Sequence, residues 1–159
     1  MAIDNVLNPA FLKNPMELII FIGIQGAGKS TFYRQHFYDT HLRLNGDMLK
    51  TRHREMTLLN ACLSSQTKTV IDKMNFNQEA RQHYIQLAKA HRFKVIAYYF
   101  DTPFEIALHR NNLRIGKAKV PEVGVKSIAK QLTPPTFAEG FDEIYTVKDD
   151  QITAHAHEI

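Results

Sequence analysis

The 159-residue chain is 44% hydrophobic and 23% charged, with a formal net charge of +4. Those values fit one soluble globular domain with one core, and no apolar run approaches the length of a membrane span. Cys62 is the single cysteine, which excludes an internal disulfide and fits a reducing, cytoplasmic setting.

Residues 1–15, punctuated by Pro9 and Pro15, read as an N-terminal arm. They lack the basic start, apolar middle and small-residue cleavage site of a signal peptide. The domain itself is expected over 16–150. "MELIIFIG" reads as a strand buried on both faces. "GKSTFYRQHFY" has helical spacing, and "HLRLN" is a short second strand. "MLKTRHREMTLLNACLSSQ" is a long helical stretch with a break near His53, and Cys62 within it is a buried structural thiol. "TKTVID" is a third strand. "NQEARQHYIQLAKAHR" is a helix with Ala80, Tyr84, Leu87 and Ala88 on one face. "FKVIAYYF" is a fourth strand. "PFEIALHRNNLR" and "PEVGVKSIAKQL" are helices opened by a Pro, with the basic loop "IGKAKV" between them. "DEIYTV" is a fifth strand. Residues 151–159 read as a tail with solvated His155 and His157. Alternating strands and helices predict an α/β fold with a central, mainly parallel five-stranded sheet flanked by helices.

The stretch "GIQGAGKST" carries the strongest chemical signal. Gly23, Gly28, Lys29 and Ser30 fit G-x-x-x-x-G-K-[ST] between a buried strand and a helix. Average residue usage puts a chance match in such a chain at roughly one in two hundred. Glycines let the backbone N–H groups of Gly23, Ile24, Gln25, Gly26, Ala27 and Gly28 curl around a phosphate. The helix N-terminus aims at the same anion. Lys29 supplies charge at the β and γ phosphates, and the hydroxyls of Ser30 and Thr31 follow, with Ser30 facing Mg²⁺. No guanine-reading "NKxD" is present, and the short chain leaves little room for motor machinery. A small ATP-dependent phosphotransferase is the remaining expectation.

Such chemistry needs a metal-organising acid, a base and cations. Asp72 ends a strand at the carboxyl edge of the sheet, where ligands bind. It is either an acid near Mg²⁺ or the N-cap of the next helix. Asp47, just past the second strand, is either a general base or an N-cap. Arg110, Arg114, Lys117 and Lys119 form a basic segment that either closes over ATP or is simply solvated.

"GIQGAGKSTF", "LNGD", "VIDKMN", "HRNNLR" and "PPTFAEGFDEI" together resemble the kinase domain of polynucleotide kinases, over roughly residues 17–147. The similarity is greatest to the kinase half of the bifunctional kinase/phosphatases. The resemblance implies a P-loop kinase fold and transfer of the γ-phosphate of ATP to the 5′-hydroxyl end of DNA or RNA. It assigns Asp47 as general base, Lys29 and Ser30 to phosphate and Mg²⁺, Arg114 as lid arginine, and Asp72 with Asn75 to the family's "DNTN". The chain departs from the family at Gly46, where Arg is usual, at Lys73, where Asn is usual, and at Met74 in place of Thr. Alternatives are a metabolite kinase on the same scaffold and a nucleotide-binding module that has lost transfer.

Overall fold

The computed structural model describes residues 16–113 and 121–157. β1 (Glu17–Ile22) has every residue after Glu17 buried, as a continuous apolar run between two helical layers requires. β2 (Leu42–Asn45), β3 (Thr69–Asp72), β4 (Lys94–Phe100), β5 (Glu143–Lys148) and β6 (Gln151–Ala154) complete one sheet in the order β2-β3-β1-β4-β5-β6. The first five strands pair in parallel, and β6 runs antiparallel to β5.

The helices are α1 (Lys29–His36), α2 (Gly46–Leu49), α3 (Arg52–Ser64), α4 (Gln78–Ala90), α5 (Phe104–Asn112) and α6 (Glu122–Gln131). Side chains alternate across β1, so it feeds two cores. Leu18, Ile20 and Ile22 pack with Leu59 and Leu63 of α3 and Tyr84, Ile85 and Ala88 of α4. Ile19 and Phe21 pack with Phe32 and Tyr33 of α1 and Ala107 of α5. The strand β1 therefore lies central, with its carboxyl end pointing straight into the loop that starts at Gly23. Cys62 is buried, as expected.

Two sequence expectations change, the strand count and the tail. The sheet has six strands, because Gln151–Ala154 pairs with β5 where a tail was expected. The connection is two residues, Asp149 and Asp150, with φ of 49° and 63°. Two consecutive positive φ angles give the tight turn whose twist suits a hairpin, and Asp tolerates that region. The histidines beyond it are exposed, as expected, and each also makes a hydrogen bond: His157 Nε2 lies 2.9 Å from Asp142 O, and His155 Nε2 bonds Thr146 Oγ1. The long helical stretch is broken near His53, as expected: the break falls at Lys50, with φ 69°, and Thr51, between Leu49 and Arg52. Thr51 then caps α3 by accepting from Arg54 N.

The "PPTFAEGF" segment is architectural. Thr136 and Glu139 form a capping box around a single 3₁₀ turn, Phe137–Glu139, and Gly140 follows at φ 116°. Glu139 pairs with Arg81, a fully buried arginine of α4, at 3.4 Å. Arg81 also donates to Asn77 O, Thr133 O and Thr133 Oγ1, which satisfies most of its planar fork. The face of α4 that turns inward is thus Arg81, Tyr84, Ile85 and Ala88.

Candidate functional site

Residues 23–31 leave β1 and wrap into the first turn of α1. Gly26 and Gly28 take φ of 81° and 93°, a region that L side chains rarely adopt. A Cβ on Gly26 would also lie 2.3 Å from Ala107 O of α5. Gly28 stands at the N-cap of α1, and no side chain caps that helix, so its first N–H groups suit an anion. Lys29 Nζ donates to Gly23 O and Ile24 O, both at 2.8 Å, and so holds the loop closed on itself. Ile24 and Ala27 point their side chains into the core. Their contribution to the loop is therefore backbone. From below, Gly23 N donates to Met74 O at 3.0 Å and Asn75 Nδ2 donates to Phe21 O at 2.8 Å. Asn75 makes that bond at φ 46°, a conformation Asn accepts more readily than most residues.

Neither aspartate is a helix cap. α4 is capped by Asn77, whose side chain accepts from Ala80 N. Asp72 is instead 3% exposed and bonded at Oδ2 by Arg43 Nε at 2.7 Å. The same guanidinium reaches Ser30 Oγ with Nη2 at 3.0 Å. One arginine on β2 thus brings together the two oxygens expected near Mg²⁺. α2 is capped by Asn45, which accepts from Met48 N at 2.9 Å. Asp47 sits exposed in the first turn of α2. Arg43 and Asn45 were missed as site residues. Their signal was available, because a strand ending next to "VID" at the carboxyl edge places its alternate polar residues beside Asp72.

Two of the three departures from the resembled family, Gly46 and Lys73, meet in space. A Cβ on Gly46 would lie 3.3 Å from Cγ and 3.4 Å from Cε of Lys73. A side chain at 46 would press on the flexible methylenes of Lys73, which run past the glycine. The Lys73 ammonium pairs with Glu55 Oε2 at 3.0 Å and donates to Tyr84 Oη at 3.2 Å. Tyr84 Oη in turn donates to Glu55 Oε1. Burial, with the Glu55 carboxylate beside it, pushes the Tyr84 phenol well above its ordinary value, so Tyr84 stays a neutral donor.

Two cavities flank the loop. One, of about 500 Å³, is lined by the loop with Arg34, Arg43, Asn45, Gly46, Asp47, Asp72 and Lys73. The other, of about 480 Å³, lies between Gly28, Thr31, Thr102, Arg110 and the Asp149–Asp150 turn. Arg110 Nη1 donates to Gly26 O at 3.3 Å, which ties the end of α5 to the loop. The structure therefore brings together residues 23–31, Asp47, Asp72 and Arg110. Arg114, Lys117 and Lys119 lie outside the described residues. Among the described residues, no group of three or more His, Cys, Asp or Glu side chains could hold a metal, and no helix is long and apolar enough to cross a membrane.

A family model described as an AAA domain, AAA_33, matches residues 18–135. A bifunctional polynucleotide phosphatase/kinase, so named from Acanthamoeba polyphaga mimivirus with a qualifier that its assignment is provisional, is 32% identical over 149 residues, covering 89% of this chain and 35% of that one. A bifunctional polynucleotide phosphatase/kinase of Schizosaccharomyces pombe is 26% identical over 135 residues, covering 82% of this chain and 33% of its own. The chain thus spans about a third of the length of these relatives. Among solved structures, Chaetomium thermophilum Kti12 in complex with ADP-AlF3 superposes with a TM-score of 0.65 at 15% identity, over 84% of this chain and 89% of that one. That likeness is one of fold.

Proposed function

We propose, from the premise that this chain belongs to the AAA domain family AAA_33 and has the P-loop kinase fold, that it moves the γ-phosphate of ATP to the 5′-hydroxyl end of DNA or RNA. The observation that carries this reading is one cavity. Lys29, Ser30, Asp47 and Asp72 all line it, on the carboxyl edge of a parallel sheet. The relatives named polynucleotide phosphatase/kinase, matched over most of this chain, support the choice of acceptor.

ATP lies with its triphosphate in the loop and its nucleoside toward Thr102 and Arg110. The backbone N–H groups and Lys29 stabilise charge on the β and γ phosphates. Asp47 takes the proton from the acceptor hydroxyl as its oxygen attacks phosphorus, and ADP leaves in line. Ser30 and Asp72 offer the hydroxyl and carboxylate oxygens that a hard cation takes. The all-oxygen pair fits Mg²⁺, and the absence of a larger acidic cluster among the described residues fits a metal held partly by nucleotide phosphates. When bound, Mg²⁺ neutralises charge on those phosphates. Arg43 keeps Ser30 and Asp72 in register, and Arg114 is the proposed lid cation.

The test is incubation with labelled ATP and three acceptor sets: 5′-hydroxyl DNA, 5′-hydroxyl RNA and a panel of small hydroxylated metabolites. Label on a nucleic acid end is expected. Label on a metabolite alone overturns the acceptor, and ATP binding with no labelled acceptor favours a module that has lost transfer.

A further inference from the structure

A third cavity, an open groove of about 500 Å³, lies between the start of α3 and the N-terminal half of α4. It is lined by Arg52, Phe76, Glu79, Gln82, His83 and Gln86, among others. None of these residues lines either cavity beside the phosphate loop. The groove is nevertheless continuous in chemistry with the acceptor side. Lys73 lines the acceptor cavity, and its ammonium is held by Glu55 and Tyr84. Glu55 lies one turn along α3 from Arg52, and Tyr84 follows His83 on α4. The charges of Arg52, Glu55 and Lys73 all act on the His83 ring. The Lys73–Glu55–Tyr84 cluster thus links a residue of the acceptor cavity to the two helices that line the groove.

We propose that this groove receives the base of the second nucleotide of a single-stranded acceptor whose 5′-hydroxyl lies at Asp47. The proposal rests on the polynucleotide reading above. The chemistry of the lining selects the ligand. Phe76 offers a flat apolar ring on which a base can stack. Gln82 and Gln86 each carry a donor and an acceptor, which suits the mixed edge of a base. Arg52 is one cation and Glu79 one opposing carboxylate, so the groove is poorly suited to a polyphosphate or a carboxylate ligand. Burial, helped by the Arg52 charge, lowers the His83 pKa, so the imidazole adds little positive charge near neutral pH. A neutral, flat ligand with donors and acceptors on its rim fits, and Lys73, which lines the acceptor cavity, is the cation suited in kind to the phosphate that joins the first two nucleosides.

The experiment uses the full chain, ATP and three acceptors: a nucleoside 3′-phosphate, a 5′-hydroxyl dinucleotide, and the same dinucleotide with an abasic second residue. Base stacking on an aromatic side chain implies a preference for the intact dinucleotide of roughly five- to hundredfold in kcat/KM. Gln82 and Gln86 are exposed, so Gln82→Ala/Gln86→Ala leaves the fold intact. That double variant and Phe76→Leu should shrink the preference while sparing the KM for ATP and the rate on the nucleoside 3′-phosphate. Equal rates on the two dinucleotides in wild type, or a full preference retained by both variants, overturn the groove and leave the 5′-end reading standing. Phosphorylation of none of the three acceptors overturns both.

Discussion

At the scale of single residues, Arg43 organises more of the site than its place in a short edge strand suggests. It pairs with a carboxylate that is 3% exposed and with the hydroxyl that follows the loop lysine. Arg43→Met leaves Asp72 buried without its cation. The expected loss is about 3 kcal/mol, the lower end of the range for breaking a buried pair, because the guanidinium is partly exposed. Chemical denaturation measures it, and an unchanged midpoint would show that Asp72 finds another partner. Asp47 predicts the opposite pattern. It is exposed and caps nothing, so Asp47→Asn should leave stability and ATP affinity near wild type. Transfer should fall about 10²–10⁴-fold, the usual cost of removing a general base. Single-turnover rates beside a nucleotide-binding isotherm separate the two; a rate within threefold of wild type removes Asp47 from the base role.

At the scale of elements, β1 is anchored at both ends. Its carboxyl end opens into the phosphate loop. At its start, Glu17 Oε1 bonds His41 Nε2 at 2.7 Å, which ties β1 to the residue just before β2. The hydrogen bond from His41 holds the Glu17 carboxyl below its ordinary value of 4.5, against the opposing effect of burial. A carboxyl lowered in the folded state contributes stability that is present above its unfolded value and lost as pH falls through its folded value. Thermal melts should therefore show an acid limb beginning near pH 4.5 and deepening below it, and Glu17→Gln should flatten that limb while leaving the curve at pH 7 to 8 similar in shape. An unchanged acid limb in Glu17→Gln assigns the loss to other carboxylates. Elements were largely legible in sequence. Apolar runs such as "LIIFI" and the i, i+4 spacing on α4 carry their own periodicity. What was hidden lay in single backbone angles. The placing of the break at Lys50 and the Asp149–Asp150 turn rest on positive φ at non-glycine residues, which composition does not announce. Arg81 was hidden for a related reason: a charge is read as surface until its partners, Glu139 and the Thr133 carbonyl, arrive from distant sequence.

At the scale of the whole molecule, the loop glycines, Asp47 and Asp72 were legible because one sheet edge collects the carboxyl ends of β1, β2 and β3. The Gly46–Lys73 exchange was visible only as two separate departures, since nothing in the chain says that those side chains share space. The distribution of charge gives a global test. Lys73 lines the Asp47 cavity, Lys50, Arg52 and Arg54 follow Asp47 closely in sequence, and an acceptor held only at its end would meet few of them. Affinity for a single-stranded 5′-hydroxyl oligonucleotide should fall with salt with a log–log slope of roughly −1 to −3, about −0.7 for each phosphate neutralised. Fluorescence anisotropy across a salt series measures it. Salt-independent binding would place the acceptor's phosphates away from these cations.

The contact between Gly26 and Ala107 sets a filter on inheritance. A Cβ at position 26 would press to 2.3 Å from a backbone oxygen, and its own φ of +81° is already strained for any side chain. Neither the loop nor α5 can yield by moving a flexible tip. In a saturation library, position 26 should return glycine alone even under selection for folding without catalysis. Position 46 abuts only the methylenes of Lys73, so it should admit small residues under the same selection. Two glycines in the same neighbourhood thus differ in evolvability: the first is locked by main chain, while the second is free to trade its side chain against that of Lys73.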